Sequence, residues 1–189
     1  MAHHVNSVGD LVLTDAEAMR ALADPVRLEL LDRLRRTGTA TAAELASQIQ
    51  TTPSAIEKDL RELETFGLVT RREEAEEVHW SAFGKGFVFE IPDEAEGQAA
   101  ARRLSNVMLL HYVDLPRKWV ASDEPRLSLE WARAAGLLNA RVAVTADELR
   151  GIQDELERVL EPFIKRESDE LPANAAPVRV LSYFLPELD

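Results

Sequence analysis

The sequence predicts an α+β fold that is mainly helical and carries one β-hairpin. Three observations predict it. Four helical signals follow one another between Thr14 and Gly67, each opened by a capping residue. Past Gly67 the apolar pattern changes from a helical to an alternating period. From Asp93 the helical period returns.

Thr14 opens the first helix, Asp15 to Ala23, with acidic residues in its first turn. Asp24-Pro25 opens the second, a capping side chain followed by Pro at the first helical position, where its missing N–H costs nothing. Leu28, Leu31 and Leu34 recur at helical spacing until Gly38 stops the run. Thr41-Ala-Ala-Glu44 is a capping box and starts a helix with Leu45, Ala46 and Ile49 on its apolar side. Thr52-Pro53 opens the fourth, with Ile56, Leu60 and Leu63 on one face and an end at Phe66-Gly67. Leu68 to Arg72 then reads as a strand, Glu73 to Glu77 as a turn, and Val78 to Ala82 as the returning strand. Helices, a helix placed by a tight turn, then a hairpin: that order is a winged helix-turn-helix.

Beyond it, Asp93 to about Leu115 is helical, with Ala100, Leu104, Val107, Met108 and Leu110 apolar, and is read as a dimerisation helix. Pro116, Pro125 and the polar Ser122 to Arg126 mark a loop. Ser128 caps a short helix to Leu138, Arg141 to Val144 reads as a strand, and Thr145-Ala-Asp-Glu148 is a second capping box. Leu149, Ile152, Leu156, Val159 and Leu160 line the helix that follows; Glu167 to Ala176 is a polar loop and Val178 to Leu185 a closing strand. These last elements predict a small C-terminal α/β module. Two domains result: residues 10–90, the winged helix-turn-helix, and residues 91–189, a dimerisation segment with a ligand or interaction module.

Bulk composition narrows the function. No run of about 18 apolar residues spans a membrane, and Met1 to Asp10 has no signal-peptide pattern; His3 and His4 are given no role. The absence of cysteine removes disulfides, iron–sulfur clusters and thiolate metal sites, and fits a cytoplasmic protein. The net charge of −12 is unusual for a nucleic-acid binder, and residues 1–90 and 91–189 each carry −6, so any DNA affinity comes from a local arrangement of charge.

Ala21-Leu-Ala-Asp-Pro-Val-Arg-Leu-Glu-Leu-Leu31, Thr41 to Leu45, Thr52-Pro-Ser-Ala-Ile-Glu-Lys-Asp-Leu60 and Leu63-Glu-Thr-Phe-Gly-Leu-Val69 together resemble the ArsR-type winged helix family in order and spacing, over roughly residues 14–82. The resemblance implies a homodimeric, sequence-specific repressor of double-stranded DNA whose affinity is set by a small-molecule effector or another signal. Family members commonly carry a small hydroxyl residue where this chain has Glu57, and often His or Arg at Lys58-Asp59. The family's metal sensors use cysteine pairs, impossible here, or His/Asp/Glu sets on the terminal helices.

Chemistry points to the same helix. With Ile56, Leu60 and Leu63 inward, Ser54, Ala55, Glu57, Lys58 and Arg61 face out, where a helix in the major groove meets base edges. Thr52 and Ser54 sit at the helix N-terminus, which favours a phosphate. Lys58 and Arg61 suit phosphate or guanine, and Glu57 accepts from cytosine while repelling the backbone. Arg71 and Arg72 precede the acidic wing tip Glu73-Glu74-Ala75-Glu76-Glu77 and are candidate phosphate contacts. The alternative is that these are solvated side chains of a winged-helix protein–protein interaction module.

The remaining motifs carry less. His111 and Asp114 have i, i+3 spacing for a metal, but no closed four-ligand site can be assembled, so neither metal nor cofactor is expected. His79 reads as structural, and Gly84-Lys-Gly86 as a turn rather than a phosphate loop. No nucleophile, metal-hydrolase or triad pattern is present, so the chain is not expected to be an enzyme. Trp119, Trp131, Phe163, Tyr183 and Phe184 fit a small-molecule pocket, or equally a core or dimer interface.

Overall fold

The computed structural model describes residues 4–74, 76–166 and 170–187. His3, Ala75 and the first residues of the Glu167–Ala176 loop lie outside the described residues. The chain runs β1 (Leu11–Leu13), α1 (Ala16–Leu22), α2 (Pro25–Thr37), β2 (Ala40–Thr41), α3 (Ala42–Ile49), α4 (Pro53–Thr65), β3 (Val69–Glu74), β4 (Glu77–Ala82), β5 (Phe87–Phe89) and α5 (Ala95–Tyr112). It continues through α6 (Leu115–Lys118), α7 (Leu129–Ala134) and α8 (Ala146–Ile164).

Local chemistry sets the helix starts. The carboxylate of Asp24 accepts from the N–H groups of Val26 and Arg27 and opens α2 at Pro25. Thr41 and Glu44 complete the capping box of α3, and Thr52 accepts from the N–H of Ala55 to open α4. At α1 the cap is Asp15 rather than Thr14: the Asp15 side chain accepts from the N–H of Ala18 at 3.1 Å. Between α3 and α4 the turn is made by Gln50 at φ 62°, a left-handed residue whose N–H donates to the carbonyl of Ala46.

The wing is a three-stranded sheet in the order β2-β4-β3, with β4 antiparallel to both neighbours. The hairpin strands reach Glu74 and Glu77, so the turn is tighter than Glu73 to Glu77. A side-chain bond between Thr70 and Ser81 at 2.9 Å fixes the register on the outer face. Trp80 on β4 is 1% exposed and joins Leu22, Leu31, Leu34, Leu45, Ile56, Leu60 and Leu63 in one apolar core. Ala100, Ala101 and Leu104 of α5 belong to that core too, through the packing of α5 on α1.

A second, two-stranded sheet pairs β1 with β5 in parallel, Leu11 opposite Phe87 and Leu13 opposite Phe89. The Gly84-Lys-Gly86 turn stitches it: Lys85 N–H donates to Gly9 O at 3.0 Å and Leu11 N–H to Gly86 O at 3.2 Å. Gly84 sits at φ +71°, and a Cβ there would meet the Gly9 carbonyl oxygen at 2.8 Å. Gly84→Ala is therefore expected to cost about 1–3 kcal/mol of stability. Urea unfolding checks it, and an unmoved midpoint would show that this turn is not held as described.

The second half departs from the sequence reading in four places. The helix from Asp93 to Leu115 spans Ala95–Tyr112. Residues 116–126, expected as a loop, form consecutive helical turns together with Leu115, because Pro116 and Pro125 each fall in a first turn, where Pro is tolerated. The short helix ends at Ala134 rather than Leu138. Neither Arg141–Val144 nor Val178–Leu185 forms a strand; both lack a backbone partner among the described residues, so the expected strands of the α/β module are not formed there. The capping box at Thr145 and Glu148 is present, with Thr145 N–H donating to Glu148 at 2.7 Å.

Candidate nucleic-acid interface

Helix α4 is amphipathic because Ile56, Leu60 and Leu63, all fully buried, recur at helical spacing. Its opposite side presents a shallow groove lined by Ser54, Glu57, Lys58, Arg61, Glu62 and Thr65. The predicted Thr52, Ser54, Ala55, Lys58 and Arg61 are all exposed, and Glu57 is half-buried. Glu62 and Thr65 were not singled out from sequence, though counting one further turn from Lys58 and Arg61 would have reached them.

The hydroxyls at the helix start are partly committed. Thr52 Oγ1 accepts from Ala55 N–H at 3.4 Å and lies 3.3 Å from the Ser54 hydroxyl. Pro53 has no N–H, and those of Ala55 and Ile56 donate to Thr52, so of the first-turn donors of α4 only the Ser54 N–H is left for an anion.

The arginines are all engaged by carboxylates. Arg61 donates to Glu57 at 2.6 Å, one turn back on the same helix. Arg71 on β3 meets Glu64 at the end of α4 at 3.1 Å, and Arg72 meets Glu74 on its own strand at 3.3 Å. Lys58 has no ion-pair partner among the described residues. Over residues 53–77 four cations face eight carboxylates. Each exposed pair is worth little to stability, but each holds a guanidinium that a phosphate would otherwise use. Glu64 is a further residue not singled out from sequence, since its contact to Arg71 crosses from helix to strand.

Below this surface Arg27 fixes the orientation of α4. Its side chain is 19% exposed; Nε donates to Asp59 of α4 at 3.1 Å and Nη1 to the Ala21 carbonyl of α1 at 2.8 Å. Asp59 is thus a scaffold residue, unlike its neighbour Lys58.

The other candidates are placed apart. His111 turns toward Asp32 at 3.4 Å and Glu29 at 3.7 Å, while Asp114 pairs with Arg117 at 3.0 Å; both border one cleft beside Pro25 and Lys118, and no group of three or more metal-ligating side chains forms among the described residues. Asp32 also accepts from the Tyr112 hydroxyl at 3.2 Å and from Arg179 at 3.2 Å. Burial first, then the Asp32 charge, push the Tyr112 hydroxyl up to about 12. His79, on β4 opposite Thr41 and Arg72, lies 4.0 Å from Glu77. None of Trp119, Trp131, Phe163, Tyr183 and Phe184 is buried; Phe163 is 61% and Tyr183 50% exposed. No helix among the described residues is long and apolar enough to cross a membrane.

Residues 22–72 match a family described as a helix-turn-helix domain. No curated protein matches the chain. Among solved structures, the chain is similar to the YusO protein from Bacillus subtilis at 15% identity and a TM-score of 0.34, covering 76% of this chain and 79% of that one. It is also similar to a double mutant of ZitR from Lactococcus lactis in apo form, at 17% identity and a TM-score of 0.31, covering 75% and 83%. The helix-turn-helix itself, α3 and α4 joined through Gln50 and followed by the wing, is the architecture of a DNA-binding regulator.

Proposed function

We propose that the chain is a homodimeric, sequence-specific regulator of the ArsR kind that acts on double-stranded DNA as a repressor, with a non-metal signal, a small-molecule effector, releasing it. The observation that carries this is the outward face of α4, where Ser54, Glu57, Lys58 and Arg61 stand free of the core on a helix positioned by a tight turn. In this reading residues 10–90 read DNA and residues 91–189 supply dimerisation and effector response, in the cytoplasm. Thr52, Ser54 and Ala55 lie against the backbone at the helix start. Lys58 and Arg61 take phosphate or guanine, Glu57 selects cytosine, and Arg71 and Arg72 grip the flanking phosphates.

Two variants test the assignment against fluorescent duplexes at two salt concentrations. Glu57→Ser releases Arg61 and is expected to raise affinity for scrambled duplex, while discrimination falls by about 1–3 kcal/mol wherever Glu57 accepts from a cytosine. Arg61→Ala is expected to weaken binding about equally on all sequences and to reduce the salt slope by about one unit. If neither variant changes binding on any duplex, α4 is not the reading helix. If no duplex binds at any salt, the winged-helix interaction module stands instead.

A further inference from the structure

The cations on the polar face of α8 are satisfied locally. Arg150 pairs with Asp147 at 2.6 Å, Lys165 with Glu161 at 2.5 Å, and Arg158 with Glu155. Its apolar face is not. Leu149, Ile152, Leu156, Val159 and Phe163 recur at steps of three and four, the a/d seam of a helix that packs lengthwise on another helix. Yet no α8 side chain among the described residues is buried, and Val159 and Phe163 are 63% and 61% exposed.

The flanking segments have the same defect in β form. Residues 137–144 and 177–187 belong to no helix or strand, and Val142, Val144, Val178 and Val180, which alternate in sequence with other residues, are exposed. Their backbones make no hydrogen bond to other backbone among the described residues, and the exposed ion pair Arg141–Glu187 at 2.6 Å joins them only at one end. Open strand edges beside exposed apolar side chains are templates for pairing.

The surface involved is large. Between Leu137 and Leu185 twelve large apolar side chains are 41–94% exposed. A fully buried side chain of this kind removes roughly 60–120 Å² of apolar surface from water. These residues therefore present on the order of 450–900 Å² per chain, comparable to the roughly 800 Å² each partner gives a stable interface. The seam and the two strand segments are also reciprocal: under a twofold axis the segment at 178 of one chain can pair with the segment at 141 of the other, and the two seams can face each other.

From this we infer that residues 137–187 form an exchange arm occupied by a second copy of this chain, with the α8 seams of two protomers packed across a twofold axis and the flanking segments pairing between protomers. This deepens the homodimer reading above and rests on it, but places the arm, rather than α5 alone, at the centre of the interface.

The chain has no cysteine, so a single engineered thiol reports on a self-contact directly. Leu156 lies in the middle of the seam and would face its own copy in either helix orientation. Under mild oxidation Leu156→Cys is expected to give a covalent dimer, and Ser47→Cys, exposed on α3, to remain uncrosslinked. The double variant Ile152→Asp/Val159→Asp is expected to halve the mass seen by light scattering while far-ultraviolet circular dichroism shows the helical core retained. Should Leu156→Cys fail to crosslink and the double Asp variant stay dimeric, the arm proposal is overturned while dimerisation through α5 stands. A wild-type monomer at micromolar concentration overturns both, and leaves DNA binding to be judged by the duplex titration.

Discussion

Converting Glu57, Glu64 and Glu74 together to Gln is expected to raise duplex affinity at least about tenfold on specific and scrambled sequences alike, and to steepen its salt dependence. The reason is geometric. Arg61, Arg71 and Arg72 each hold one of these carboxylates at 2.6, 3.1 and 3.3 Å, so a phosphate approaching the face competes with a counter-charge on the same chain. Gln keeps the size and the hydrogen-bonding oxygen but removes the charge, and net charge moves from −12 to −9. Each arginine that then neutralises a phosphate adds about 0.9 to the slope of log affinity against log salt, close to three units for all three. Fluorescence anisotropy across a salt series measures this. An unchanged slope would mean that the wing and the end of α4 stay clear of the backbone, and would confine contact to Lys58 and the N-terminal turns of α4.

Trp80→Ala is expected to cost about 3–5 kcal/mol, the range for removing a buried aromatic side chain. Trp80 is 1% exposed, on the central strand of the wing sheet, opposite Ala40 of β2 and Arg71 of β3, and it closes the core over α2. For a chain of this size the midpoint should fall by roughly 6–20 °C. The effect should reach function too, since Arg71 is positioned by this register. Differential scanning calorimetry decides it: a loss below about 1 kcal/mol would show that the wing is not part of the core.

The parts of the fold legible in the sequence are those fixed by neighbours in the chain. Asp24-Pro25, Thr41 with Glu44, Thr52-Pro53 and Thr145 with Glu148 act over three residues, and all four start helices as expected. The parallel pair of Leu11–Leu13 with Phe87–Phe89 joins segments far apart in sequence, and β2 is two residues long; neither leaves a local pattern. Arg141–Val144 and Val178–Leu185 show the converse. Their alternation is genuine, but a strand needs a partner, and among the described residues neither has it. At the candidate interface the residue types on α4 could be read from helical spacing. Their pairing could be read only in part: Glu57 to Arg61 is one turn, whereas Glu64 to Arg71 depends on how β3 leaves the helix.

Arg27 gives the molecule a mechanical property. Its guanidinium ties the last turn of α1 to the middle of α4, and α1 in turn carries α5. The path of contacts from α5 through α1 and Arg27 to α4 is therefore continuous, so a shift of α5 on α1 bears on the seat of α4. In the proposed homodimer, a change where α5 meets its copy would bear on the separation and pitch of the two α4 helices, the quantities that half-site spacing on a duplex constrains.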